Sequence, residues 1–274
     1  MHAASFFTIV QLFQLSMSNA FCTVAAAPVR NEPSHRSEMV NQLLFGELVI
    51  IIEEKEEWVK LRSHYDGYEG WVTHHLITVT GEGFAEAPVP FVTAGLLNEI
   101  TWNDTVFYIP MGCSLPVYNS VTGTLWDDAY QYRGAIRNTN EPYSKALFRS
   151  LVKQWLQAPY LWGGKTGMGV DCSGFVQVVC KVLGVPLLRD AYQQAEQGAP
   201  IESLSEAKEG DLAFFKSETG RITHVGFVLQ DQRIIHASGK VRIDTLRQKG
   251  IFTGDGNKQT HHLHSIRRIL YFRD

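Results

Sequence analysis

The chain has little excess of either charge: 25 Lys and Arg against 28 Asp and Glu leave a net charge of -3. A nucleic acid or an anionic membrane would call for a concentrated basic face. Only the His-Ser-Ile-Arg-Arg run at 264–268 comes close, so neither is expected as a partner. Cysteine is scarce, and Cys22, Cys113, Cys172 and Cys180 lack any paired spacing such as C-x-x-C. That argues against a zinc ribbon and a disulfide framework. His261, His262 and His264 do not have paired-ligand spacing and have no Cys or carboxylate beside them, so no metal and no other cofactor is expected. No run approaches about 18 unbroken apolar residues, which argues against a transmembrane helix. No Lys or Arg precedes Arg30, and Gln11, Gln14, Ser16, Ser18 and Asn19 interrupt the apolar stretch from Phe6 to Phe21. A signal peptide therefore fits poorly, although Ala25-Ala26-Ala27 has the look of a cleavage site. A true start near Met17 is a competing explanation. A cytoplasmic location is expected, with a periplasmic or secreted one left open.

What is present is ordinary globular composition, 45% hydrophobic and 19% charged over 274 residues, enough for one large or two to three small domains. From 22 to 79, short apolar strands alternate with turn residues: Val24 to Val29, Leu43 to Phe45, Leu48 to Ile52, Trp58 to Leu61 and Gly70 to Val72. This reads as all β, with Glu53 to Glu57 as a solvated hairpin turn. Its segments Val-Arg-Asn-Glu-Pro-Ser, Gln-Leu-Leu-Phe-Gly-Glu at 42–47, Glu-Trp-Val-Lys-Leu-Arg at 57–62 and Gly-Tyr-Glu-Gly-Trp-Val at 67–72 resemble a bacterial SH3 domain. A second β-rich stretch, 82 to 139, contains Trp102, Phe107 to Pro110, Leu115 to Tyr118 and Ala129 to Ile136, and resembles a divergent SH3-type barrel. Near Asn140-Glu141-Pro142 the pattern changes to a helix over Tyr143 to Gln157, then a glycine-rich loop at 158–164. Strands are expected at 211–216, 224–229, 233–237, 241–244 and 266–272. Residues 141 to 274 therefore read as one α+β domain.

Phe175, Val178, Val179, Val182 and Leu183 recur at helical spacing, Asp171 is a suitable N-cap, and Gly184 with Pro186 ends the run. Cys172 thus sits in the first helical turn. A thiol attacks acyl carbonyls as thiolate, and a helix N-terminus beside an imidazolium lowers its pKa. Unpaired N–H groups of the same turn can also hold an oxyanion. Cys180, mid-helix between Val176 and Leu183, reads as a silent core residue. Two histidines downstream can be tested by register. If Gln230 to Gln232 form a three-residue hairpin loop, Gly226 faces His236, and His224 and His236 become diagonal neighbours on one face, roughly 7–8 Å apart. A two-residue loop would put them on opposite faces. His224 is then the candidate base and His236 its orienter.

The block Tyr160-x-Trp-Gly-Gly, Asp171-Cys172-Ser173-Gly174-Phe175, Gly210-Asp211-Leu212, His224-Val225-Gly226 and Ile235-His236-Ala237-Ser238 resembles the NlpC/P60 family of papain-like cysteine peptidases. The resemblance implies an α+β, papain-like NlpC/P60 catalytic domain preceded by two all-β SH3-like barrels. It implies hydrolysis of γ-D-glutamyl to diamino-acid bonds in short peptidoglycan-derived peptides by Cys172, His224 and His236. Tyr160 matches the family's active-site tyrosine, and Asp171 and Ser173 flank the nucleophile as substrate-side candidates. Arg189-Asp190-Ala191 resembles a segment that binds the free amine of the substrate's L-Ala, with Asp190 as the recognising carboxylate. Ala191 stands where some relatives have Ser. The first SH3 domain would cap the cleft and contribute Glu47 and Tyr68. A monomeric enzyme of muropeptide recycling is expected. Attack on intact crosslinked wall, anchored by the SH3 domains, remains the alternative, and a wall-binding module with a relic peptidase is a non-enzymatic third.

Overall fold

The computed structural model describes residues 18–80, 89–119, 122–125, 128–253 and 257–272. The N-terminal stretch before residue 18 and the expected domain junction at 82 lie outside them. The first unit is built from β1 (Ser18–Cys22), β2 (Ala26–Arg30), β3 (Met39–Leu44), β4 (Leu48–Lys55), β5 (Trp58–Ser63), β6 (Glu69–Thr73) and β7 (Ile77–Val79). They form one antiparallel sheet in the order β3-β2-β6-β5-β4-β1-β7. Alternation along β2 and β4 turns Ala27, Val29, Val49 and Ile51 inward, where they meet Val59, Leu61 and Val72 in a small core. Strand β1 was not expected, because Ser18 and Asn19 are polar; it is held by pairing with β4 and β7.

The second unit contains β8 (Phe91–Thr93), β9 (Leu97–Trp102), β10 (Thr105–Pro110), β11 (Thr122–Leu125), β12 (Asp128–Arg133) and β13 (Ile136–Asn138). A four-stranded sheet, β10-β9-β12-β11, stands beside the β8–β13 pair. Its core is not private. Ile100, Ile109, Met111 and Tyr130 run into the same apolar cluster as Phe148, Trp155, Phe175 and Phe227 of the C-terminal unit. Trp155 donates its indole N–H to the Met111 sulfur at 3.3 Å.

The C-terminal unit begins with α1 (Lys145–Gln154), followed by the short pair β14 (Lys165–Thr166) and β15 (Gly169–Val170), then α2 (Cys172–Val182) and α3 (Ala191–Gln194). Seven strands complete it: β16 (Ala199–Ile201), β17 (Leu212–Lys216), β18 (Ile222–Leu229), β19 (Arg233–Ser238), β20 (Lys240–Arg247), β21 (Gly250–Phe252) and β22 (Gln259–Arg268). Because β22 pairs with both β17 and β21, the sheet closes into a barrel with β16 at its edge. The last strand was expected at 266–272; pairing with β17 and β21 instead draws the polar run from Gln259 into it. Helix α2 packs its apolar face on the outside of this barrel through Val225, Phe227 and Ile235. Its polar stripe, Ser173, Gln177 and Lys181 at i, i+4 and i+8, is also buried, because the first unit covers it. Asp66 accepts from Gln177 at 2.8 Å and Glu47 from Lys181 at 2.6 Å, so the stripe that a lone domain would leave in water is satisfied across the interface.

Candidate active site

Asp171 caps α2, accepting the Gly174 N–H at 2.6 Å in extended backbone geometry. Gly174 has no room for a side chain, since a Cβ would lie 2.3 Å from the Gly164 carbonyl oxygen; the glycine-rich loop is pressed onto the helix start. Cys172 follows the cap, 6% exposed. Its sulfur lies against the backbone on both sides of His224, 3.9 Å from the Thr223 carbonyl and within reach of the Val225 N–H. Cys172 therefore arrives on a helix outside the barrel.

The histidines come from inside it. His224 pairs with Phe215, Asp244 with Ile234 and His261 with Ile251. Paired residues share a face, so these polar groups continue the interior cluster of Ala213, Phe215, Val228, Ile234, Leu246 and Ile251. The β18–β19 hairpin has the three-residue loop, with Asp231 and Gln232 at positive φ, and Gly226 does face His236. A Cβ on Gly226 would stand 2.8 Å from the His236 Cβ, so glycine here lets the rings close. The diagonal neighbours touch: His224 Nε2 and His236 Nδ1 are 2.7 Å apart.

Asp244, which sequence reasoning missed, extends the line. Its Oδ2 lies 3.1 Å from His236 Nε2 and accepts from Arg242 Nε at 2.8 Å. A carboxylate only accepts, so His236 holds its proton on Nε2 and offers the Nδ1 lone pair. His224 must then donate from Nε2, which leaves its Nδ1 unprotonated. Asp244 thereby selects the tautomer of His224 through His236. The register rule used for His224 could have found it: in the β19–β20 hairpin His236 pairs with Arg242, so Asp244 is its diagonal neighbour.

The expected thiolate is not the favoured resting form of this buried site. Burial, and next the Asp171 charge, push the Cys172 thiol up to about 12, against smaller downward pulls from the Val225 N–H, Arg189 and the Ser173 N–H. Burial and the neighbouring His236, His261 and Arg242 hold His224 well below the ordinary imidazole range. Each neutral form is favoured at rest; moving a proton from sulfur to nitrogen would make a compensated pair of charges rather than one buried charge.

Three expected substrate contacts are spent inside the protein. Asp171 accepts from Gly163, Gly174, Ser173 and both terminal nitrogens of Arg189, the shortest of these last at 2.6 Å. The Ser173 hydroxyl lies between Asp171 and Arg189. Glu47, 3% exposed, holds Lys181 at 2.6 Å, Lys165 at 3.6 Å and the Leu44 N–H at 2.9 Å. Lys181 is nine residues past Cys172, roughly 13 Å along the helix axis. Glu47 borders a cavity of about 460 Å³ with Ser114 and Lys181, behind α2 and away from the nucleophile.

Tyr160 lies within electrostatic reach of Cys172, and Tyr68 and Asp190 within reach of each other and of Asp171. Burial and then the Asp190 charge push the Tyr68 hydroxyl up to about 12. Burial and then the Cys172 and Asp171 charges raise that of Tyr160. Asp190 caps α3 and is raised from the ordinary carboxylate range by burial, with Arg189 opposing and Asp171 and Asp66 adding to the rise. Ala191 is buried as the first residue of α3 and presents no polar group. Arg189 is 1% exposed and joins the units, donating Nε to Asn41 of β3 at 2.7 Å.

Comparison with known proteins matches residues 157–254 to the NlpC/P60 family and residues 29–76 to the bacterial dipeptidyl-peptidase SH3 domain. The chain is 27% identical to the gamma-D-glutamyl-L-lysine dipeptidyl-peptidase of Bacillus cereus, across 74% of this chain and 68% of that protein. It is 28% identical to dipeptidyl-peptidase 6 of Lysinibacillus sphaericus, across 84% and 93%. It is 34% identical to the murein DD-endopeptidase/murein LD-carboxypeptidase of Escherichia coli, across 43% and 61%. The crystal structure of an NlpC/P60 family protein from Bacillus cereus superposes on 93% of this chain and all of its own, with a TM-score of 0.76 at 21% identity, and so shares the fold. With a thiol at a helix start beside a barrel histidine, the chain is a cysteine peptidase built from an NlpC/P60 domain behind a bacterial SH3 domain.

Proposed function

We propose that the enzyme hydrolyses the bond between γ-D-Glu and the diamino acid in short cell-wall peptides with a free N-terminal L-Ala, releasing L-Ala-D-Glu. The observation that carries this reading is the charge around Asp190. Asp66 and Asp171 both raise the Asp190 carboxyl while Arg189, itself bonded to Asp171 through both terminal nitrogens, opposes them, so Asp190 is left short of positive charge. A substrate ammonium supplies it. The names of the Bacillus cereus and Lysinibacillus sphaericus relatives support a dipeptide-releasing peptidase, and the former also supports the γ-D-glutamyl bond.

In this reading the ammonium sits at Asp190 with Tyr68 beside it, which sets the scissile carbonyl two residues away at Cys172. His224 Nδ1 takes the thiol proton as sulfur bonds to the γ-carbonyl carbon. The Cys172 N–H faces the oxyanion, since the Gly174 and Phe175 N–H groups already go to Asp171. Collapse breaks the C–N bond, and His224 returns the proton to the leaving amine. Water, deprotonated by His224, then attacks the thioester carbonyl and frees the dipeptide and the thiol. Short peptides of this kind arise from wall turnover, a source that fits a role in recycling.

Mass spectrometry of free and N-acetylated L-Ala-γ-D-Glu-diamino-acid tripeptides tests the reading. Only the free peptide is cleaved, and Cys172→Ala cleaves neither. Equal turnover of the acetylated peptide refutes amine recognition, and release of fragments from intact sacculi by an enzyme inert on the tripeptide favours the wall-hydrolase alternative. Activity in Cys172→Ala sinks the mechanism.

A further inference from the structure

His261 belongs to a run that sequence spacing dismissed as a metal site, and it has another use. Strand alternation leaves His262 and His264 exposed while the His261 ring turns into the barrel mouth. It stacks on His224, with ring centroids 4.2 Å apart and planes 25° from parallel, and meets His236 edge on at 5.7 Å. The two rings it touches are those joined by the 2.7 Å hydrogen bond. Phe215 flanks His224 at 5.8 Å and His261 at 5.9 Å. His261 Nδ1 is 2.9 Å from the hydroxyl of its chain neighbour, Thr260.

We propose that His261 is a positioning residue for the reaction: its ring caps the His224–His236 hydrogen bond, holding the His224 imidazole flat against the barrel mouth and keeping water off the bond that sets its tautomer. This role rests on His224 being the base, but it is independent of which peptide is cleaved. The cap works as a neutral aromatic surface. Burial first, then His236 and Arg242, lower His261 to about 4, with Asp244 opposing and His262 adding a little, so it carries no charge against the His224 imidazolium near neutrality. A stacked pair contributes enough to favour one ring orientation roughly two- to tenfold over the alternatives. Phenylalanine can supply the same surface, and alanine cannot.

The test compares wild type, His261→Phe, His261→Ala and Cys172→Ala, with two readouts. One is steady-state kinetics on the tripeptide. The other is the pH profile of Cys172 carbamidomethylation by iodoacetamide, which reports the thiol–imidazole pair without any substrate. His261→Ala is expected to lower kcat roughly two- to tenfold with KM unchanged, and to lower Cys172 alkylation at neutral pH by a similar factor. His261→Phe stays within twofold of wild type in both. Wild-type values in His261→Ala overturn the proposal. So does a change in KM alone, which makes His261 a substrate contact, and so does a His261→Phe as impaired as His261→Ala. If no variant turns over the tripeptide but the alkylation profiles separate as expected, the substrate assignment fails and the positioning role stands.

Discussion

Replacing Asp244 with Ala should cripple the enzyme from two residues beyond the base. Asp244 is 5% exposed, and its Oδ2 is the acceptor for His236 Nε2. Without it that N–H is buried with no partner, at a cost of about 1–3 kcal/mol. The pair can escape by shifting both protons: His236 donates from Nδ1, His224 accepts at Nε2 and carries its proton on Nδ1, the nitrogen needed by the thiol. If the shifted state is favoured by that amount, the reactive fraction, and kcat with it, falls about 5- to 150-fold. Asn is a sharper probe. Arg242 Nε, at 2.8 Å, pins an oxygen at the Oδ2 position, so Asn keeps accepting from His236 and loses only the charge. Its loss should stay within about tenfold, since a charge-assisted hydrogen bond is roughly twice as strong as a neutral one. The order in kcat is then wild type, Asp244→Asn, Asp244→Ala. Nitrogen-15 NMR of the imidazoles reads the tautomers directly. An Asp244→Ala enzyme with wild-type kcat, or a wild-type His224 protonated on Nδ1, refutes the reasoning.

Gly226→Ala drives a Cβ to 2.8 Å from both the His236 Cβ and the Ile235 carbonyl, and kcat should fall about a hundredfold with the fold retained by circular dichroism. Glu47→Ala strands Lys181 and Lys165 and should destabilise the protein by about 3–5 kcal/mol in urea unfolding, while the folded fraction keeps its kcat. Despite the upward push of burial, Lys165 and Lys181 hold the Glu47 carboxyl below its ordinary 4.5. A lowered folded pKa gives stability that is fully present above about 4.5 and lost as pH falls through the folded value, so Glu47→Gln should flatten that acid limb. Cys172 alkylation should show a neutral-pH plateau in wild type; in His224→Ala the thiolate must form alone, with a thiol pushed up to about 12, so the rate should keep climbing through pH 10.

The sequence by itself determined the parts that depend on local rules. Apolar spacing from Phe175 to Leu183 and a capping Asp171 specify α2 and put Cys172 at its start. The hairpin rule ties the sharing of a face by His224 and His236 to a three-residue loop, and the structure supplied that loop length. Short alternating strands specify the β character of the first unit. Tertiary structure decided which charges face substrate. Ser173, Gln177 and Lys181 are a polar stripe by spacing, and only the covering first unit makes it an interface, drawing Glu47 behind the helix, while Asp171 is spent on Arg189 within the C-terminal unit. Asp190 and Tyr68 come together across the same interface. The closing of β22 onto β17 and β21 carries His261 onto His224 from a run that reads in sequence as a polar tail. Spacing records neighbours within one element or one hairpin. Contacts between elements arise from barrel closure and domain packing, whose partners are far apart in the chain.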